Sequence, residues 1–162
     1  NHNIAGTFYT QVMFADYELR AHRLVEGDQP VTADGLSETY MRLLNDYYGD
    51  AVDVNPLTGL TWARIPHFFN SPYYVYQYAT CFASAARLAH EIGQGKTPAE
   101  RAARDRYLEL LRSGGNDYPM EQLKKAGVDL GKPDTVEAIV SQMDDLVSRL
   151  ESELARGGQP PF

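Results

Sequence analysis

From Ile65 to Tyr78 the chain reads I-P-H-F-F-N-S-P-Y-Y-V-Y-Q-Y, which is one His, two Phe and four Tyr within fourteen residues. Imidazole and phenol are hydrogen-bonding groups carried on aromatic bodies. Such a stretch can line an apolar surface and still donate to a polar atom lying on it. Ser71 is a suitable N-cap and Pro72 suits the first helical position, so a helix is expected from there to about Ile92, stopped by Gly93 and Gly95. At about 100° per residue the tyrosines fall on two sides of it. Tyr74 and Tyr78 lead into Cys81, Ala85, Leu88 and Ile92, an apolar stripe expected to face a core. Tyr73 and Tyr76 lead into Thr80, Ser84 and Arg87, a side too polar for a core and too aromatic for plain solvent, which fits a cleft wall. His67 comes just before, in a Pro-bounded loop at the expected N-terminal end, where polarised or anionic groups are favoured. His67, Tyr73 and Tyr76 are therefore a candidate set for handling an oxyanion. The competing reading of the same residues is packing, since aromatic stripes are commonly core.

Other chemistry finds less support. The helical zinc motif H-E-x-x-H places two imidazoles one turn apart with a Glu as general base. Here the run is His90-Glu91-Ile92-Gly93-Gln94, with Gln in place of the second His, and His90 reads as a helix-end surface residue. The four histidines, His2, His22, His67 and His90, are dispersed without ligand spacing, so no metal site is expected from this chain alone. No G-x-S-x-G elbow is present, and Ser113-Gly114-Gly115-Asn116 lacks the Lys and preceding strand of a phosphate-binding loop. Cys81, the lone cysteine, is expected to be a buried inert thiol on the core stripe. Asp144-Asp145 reads as the wet face of the last helix.

The elements that would position these residues are all helical. A first helix is expected from about Thr7 to Val25, with Phe8, Val12, Ala15 and Leu19 as its apolar stripe, widened by Tyr9 and Met13. Gln11, Glu18 and His22 mark its polar side, read as a solvated face. After the break at Gly27–Pro30, a second helix spans about Asp34 to Tyr48 and stops at Gly49. Asp50 to Arg64 shows neither period and reads as an ordered loop that Trp62 anchors to the body. Thr97-Pro98-Ala99-Glu100 is a capping box with Pro at the first helical position, opening a helix that ends at Ser113–Gly115. A short helix at about Pro119 to Lys125 and a long one from Pro133 to Arg156 follow. The fold class is all-α: an antiparallel bundle of about six helices, with 1–156 as a single helical domain and 157–162 as a flexible tail.

At 162 residues, 43% apolar and 23% charged, the chain suits one sizeable core. A net charge of −7 argues against nucleic acid or an anionic membrane as partner. No run approaches a transmembrane helix in length, and no basic region followed by an apolar core opens the chain. A cytoplasmic location fits these features. The start N-H-N-I-A-G-T, without Met, suggests a piece of a longer polypeptide.

Four stretches carry a resemblance. They are R-I-P-H-F-F-N-S-P-Y-Y-V-Y-Q-Y-A-T at Arg64–Thr80, F-Y-T-Q-V-M-F-A-D-Y-E at Phe8–Glu18, Y-L-E-L-L-R-S-G-G at Tyr107–Gly115 and L-K-K-A-G-V-D at Leu123–Asp129. In that set the chain resembles the C-terminal region of the oligoendopeptidase F family, thimet-oligopeptidase-like zinc metallopeptidases. The resemblance implies a larger all-α fold with a deep channel for short peptides, in which H-E-x-x-H and a later Glu, both upstream of the matched segment, hold zinc. It implies that His67, Tyr73 and Tyr76 bind substrate, and that Tyr76 and His67 donate to the scissile carbonyl oxygen. Zinc would belong to the complete enzyme and not to this segment, which alone would be inactive. Implied partners are the upstream part of the same polypeptide and short peptides, with self-association of the separated segment through its aromatic face. A non-catalytic all-α peptide-binding or structural module is the alternative.

Overall fold

Sequence periodicity and caps set most of the helices seen in the computed structural model, which describes residues 4–157. A π-helical turn, Ala5–Tyr9, runs directly into α1, Thr10–Glu26. The next helix, α2 (Ala33–Tyr48), starts where the Thr32 hydroxyl accepts from the Gly35 N–H at 3.1 Å, and stops at Gly49 with φ +52°. The stretch expected as a loop contains two 3₁₀ segments, Gly49–Ala51 and Thr58–Arg64, and Trp62 anchors it by donating from Nε1 to Ser37 Oγ at 3.1 Å. Then come the short α3 (His67–Asn70), α4 (Tyr76–Ile92), α5 (Pro98–Ser113), α6 (Pro119–Ala126) and α7 (Asp134–Ala155). No strand occurs among the described residues, and the fold class is all-α. The tail at 157–162 lies outside the described residues except for Gly157.

Two compact units divide the chain: one over Ala5–Ala79, the other from Thr80 onward together with Ile4. The sequence reading expects one domain over 1–156.

In the first unit, α1 contributes Met13, Phe14 and Tyr17, and α2 contributes Tyr40, Leu43 and Leu44, to a cluster that also buries Val75. Trp62, Ile65 and Phe68 pack against it. Tyr17 meets Tyr40 edge-on at 5.4 Å between ring centroids, and Phe14 meets Phe68 at 5.8 Å. Burial, with Tyr40 adding a smaller effect, pushes the Tyr17 phenol above its ordinary pKa range, and its hydroxyl finds no hydrogen-bond partner among the described residues.

In the second unit, Leu88, Ala126 and Val128 form a small buried cluster flanked by Tyr107, Leu110, Leu123 and Leu130. Glu91 bridges two arginines, receiving Arg87 Nε at 2.8 Å and Arg106 Nη2 at 3.2 Å. Gly93 ends α4 with φ +51°, and a Cβ there would collide with the Glu100 carboxylate. That carboxylate accepts from the Lys96 and Thr97 amides at 2.8 Å each, while Glu100 N–H donates to Thr97 Oγ1 at 3.2 Å, completing the capping box.

Three expectations for α4 are corrected. It begins at Tyr76, not at Pro72. Tyr74 and Tyr78 do not face a core: they are 42% and 36% exposed. Cys81 is not buried, and with Ala85 it lines an open groove beside Leu88, Ile92, Tyr107 and Leu123. Of the expected stripe Leu88 is buried, and Ala79, Ala83 and Ser84 are the other buried positions of the helix. A wheel weighted by hydrophobicity favours the larger Tyr and Cys side, whereas the buried side of this helix is made largely of small residues. Ser84, expected on the polar side, is accommodated because its hydroxyl donates to the Thr80 carbonyl at 2.7 Å.

Candidate functional site

The segment between α3 and α4 turns where a continuous helix was expected. Ser71 closes α3 as its C-cap, its N–H donating to the His67 carbonyl at 3.0 Å, and its hydroxyl donates to Asn70 Oδ1 at 3.3 Å, so it caps nothing ahead of it. Its carbonyl accepts the Tyr74 N–H at 3.2 Å, closing a β-turn over 71–74. Pro72 occupies the second place and Tyr73 the third, with φ +57°. Turns with that sign of φ favour Gly at the third place, because a Cβ is crowded there. Tyr73 and Asp28 are the non-glycine residues in this region of φ among the described residues.

A contact from α1 accounts for the turn. Glu18, only 4% exposed, accepts the Tyr73 N–H on Oε1 at 2.7 Å, across 55 positions of sequence. A left-handed backbone costs an L-residue roughly 1–2 kcal/mol. A hydrogen bond to a carboxylate contributes about 1.5–3 kcal/mol, enough to hold the conformation. One turn along α1, His22 Nδ1 lies 3.3 Å from the Tyr73 hydroxyl, and the two rings meet edge-on at 4.5 Å. Sequence alone predicts a solvated face for Glu18 and His22, and only their spacing of four on one helix side signals that they can act together.

The other tyrosines part company with Tyr73 at the turn. His67, on α3, stacks on Tyr74 with centroids 5.4 Å apart and planes 16° from parallel. Its Nε2 lies 3.3 Å from the Tyr78 hydroxyl, with the donor set by the imidazole tautomer. Tyr74 and Tyr78 meet edge-on at 5.4 Å. Tyr76 stands apart: 49% exposed, its hydroxyl has no hydrogen-bond partner among the described residues. The expected trio is thus not one cluster. No ring contact or hydrogen bond joins His67 to Tyr73 or Tyr76 among the described residues; His22 meets Tyr73, whereas His67 meets Tyr74 and Tyr78.

Chemically, the segment presents phenols and imidazoles that can donate to a carbonyl oxygen, with flat apolar faces for side chains. Among the described residues no three His, Cys, Asp or Glu side chains gather closely enough to hold an ion. No described helix is long and apolar enough to cross a membrane.

Comparisons with known proteins converge. The model for peptidase family M3 matches residues 1–142. Oligopeptidase PepF of Bacillus subtilis is 37% identical over 151 residues, covering 93% of this chain and 22% of that protein. An oligoendopeptidase F homolog of Borreliella burgdorferi is 39% identical over 139 residues, covering 86% of this chain and 23% of that one. The crystal structure of oligoendopeptidase-F from Enterococcus faecium superposes with a TM-score of 0.84 at 37% identity, over 94% of this chain and 28% of its own. The chain therefore spans about a quarter of the length of the relatives it matches. The family model matches most of the chain, and the structural likeness at 37% identity covers 94% of it, so the chain belongs to peptidase family M3.

Proposed function

We propose that this chain is the C-terminal helical part of a zinc-dependent oligoendopeptidase that cleaves internal bonds of short peptides, and that residues 65–78 line the channel in which the peptide lies. One observation carries the reading. In a chain of peptidase family M3, the Tyr76 phenol is exposed and uncommitted among the described residues, while Tyr73 and Tyr78 beside it are already held by histidines. Tyr76 donates to the scissile carbonyl oxygen as it gains negative charge, and His67 and Tyr73 bind the peptide alongside. The zinc ligands belong to polypeptide outside the described residues, so the separated chain is expected to hydrolyse no peptide. Its exposed Phe69, Tyr73, Tyr74 and Tyr76 rings would then favour self-association.

The test uses the complete peptidase and a short internally quenched peptide. Tyr76→Phe is expected to lower kcat and kcat/KM together by about 10²–10³-fold with KM nearly unchanged, as loss of one oxyanion donor does. Tyr74→Phe is unsuitable as the packing control, because Tyr74 is exposed and stacked on His67. Tyr17→Phe serves instead: it removes a buried hydroxyl that has no partner among the described residues, and both constants should hold. Wild-type rates for Tyr76→Phe would overturn the assignment.

A further inference from the structure

The contact between Glu18 and the 71–74 turn reaches across the first unit to the backbone that carries the Tyr73 ring. Three observations bear on it. Glu18 is a buried carboxylate aimed at a backbone amide far away in sequence, at 2.7 Å. That amide belongs to a tyrosine held at φ +57°, a conformation its own residue type disfavours. The local competitor for the same amide, the Ser71 hydroxyl, is turned back onto Asn70.

We infer that Glu18 is a positioning residue for Tyr73: its carboxylate pins the Tyr73 N–H, keeps the 71–74 turn from joining α4, and so carries the Tyr73 ring to His22 and away from the His67–Tyr74–Tyr78 stack. Without that grip, Ser71 and Pro72 are well suited to start a helix. Tyr73 would then take a right-handed φ, and its ring would swing off His22. His22 completes the device from the side-chain end, since its Nδ1 fixes the direction of the Tyr73 hydroxyl. Glu18 and His22 sit on the same side of α1, so one rigid helix holds the backbone and the side chain of Tyr73 at once. The functional weight of the device rests on the reading of Tyr73 as a substrate-binding residue.

The experiment has two arms. In the first, the complete peptidase is deuterated and labelled with ¹⁵N-tyrosine, the Tyr73 amide resonance is assigned by its loss in Tyr73→Phe, and it is compared in wild type, Glu18→Gln and Glu18→Ala. A short hydrogen bond to a carboxylate moves an amide proton downfield; the signal should move upfield in Glu18→Ala and part of the way in Glu18→Gln, which keeps an acceptor oxygen without the charge. In the second, the complete peptidase is assayed on the quenched peptide with the same variants and Tyr73→Phe. Misplacing a substrate-binding group should raise KM about tenfold in Glu18→Ala with kcat largely kept, and less in Glu18→Gln. Should Glu18→Ala fail to fold, Glu18→Gln alone must show the intermediate rise and shift. An unmoved Tyr73 amide overturns the inference. So does a raised KM in Tyr73→Phe together with wild-type KM in both Glu18 variants. If Tyr73→Phe itself keeps wild-type kinetics, the substrate-binding reading of Tyr73 fails, and the inference loses its function with it.

Discussion

Ser71-Pro72 and Thr97-Pro98 each place a hydroxyl residue before a proline at the head of an amphipathic run. At Thr97 the pair opens α5 at once, with Pro98 in the first turn and both capping-box bonds formed. At Ser71 the same pair closes α3 and enters a turn, and α4 begins only at Tyr76. The difference lies in who takes the free amides. Glu100 stands three residues after Thr97 and accepts from the Thr97 and Lys96 amides, so every partner is local. Three residues after Ser71 stands Tyr74, which cannot close the box, and Glu18 on α1 takes the Tyr73 amide first. A helix-start signal thus governs the fold where its hydrogen bonds close within the segment, and yields where a buried acceptor from elsewhere reaches the amide.

The largest effect expected from this contrast is at the intact cap. Thr97→Ala should destabilise the unit from Thr80 onward by about 1 kcal/mol, read as a lowered urea midpoint. A wild-type midpoint would mean that the cap adds nothing and that the two sites differ for another reason. A smaller effect should follow pH. The Thr97 N–H first, with the Lys96 N–H assisting, holds the Glu100 carboxyl below its ordinary value of 4.5. A depressed folded pKa stabilises above the unfolded value and fades as pH falls through the folded one. The melting temperature of wild type should therefore fall faster than that of Glu100→Gln as the pH drops below 4.5. Parallel curves would remove the carboxylate from the account. The smallest effect is expected at Ser71→Ala, within about 0.5 kcal/mol, since its hydroxyl reaches only Asn70. A loss there equal to that of Thr97→Ala would show Ser71 capping α4 in solution.

The same contrast explains what the sequence disclosed. The helices at Thr10–Glu26, Ala33–Tyr48, Pro98–Ser113 and Asp134–Ala155 lie close to the periods that predict them, because their stripes and stops are written within each segment. The Trp62 anchor was legible because a lone large indole in an irregular stretch has few other places to go. The site was legible as a stretch but not as an arrangement. Which tyrosine meets which histidine depends on the left-handed Tyr73, and that depends on Glu18, which no local pattern connects to it. The side assignment of Tyr74, Tyr78 and Cys81 failed for a related reason: Tyr74 lies in the turn ahead of the helix, and the buried side of the helix carries Ala79, Ala83 and Ser84, which a weighting by hydrophobicity does not favour.

Gly93 has a consequence for how such a chain can drift. With φ +51° and the Glu100 carboxylate where a Cβ would go, a side chain arriving at 93 meets both a disfavoured backbone and an occupied space. Glu100 would have to swing aside, releasing the Lys96 and Thr97 amides together. Loss of Glu100 first clears the space and leaves only the backbone preference against the newcomer. The two positions are thus linked in an ordered way: a lineage can abandon Glu100 while keeping Gly93, but one that replaces Gly93 first gives up the α5 cap in the same step.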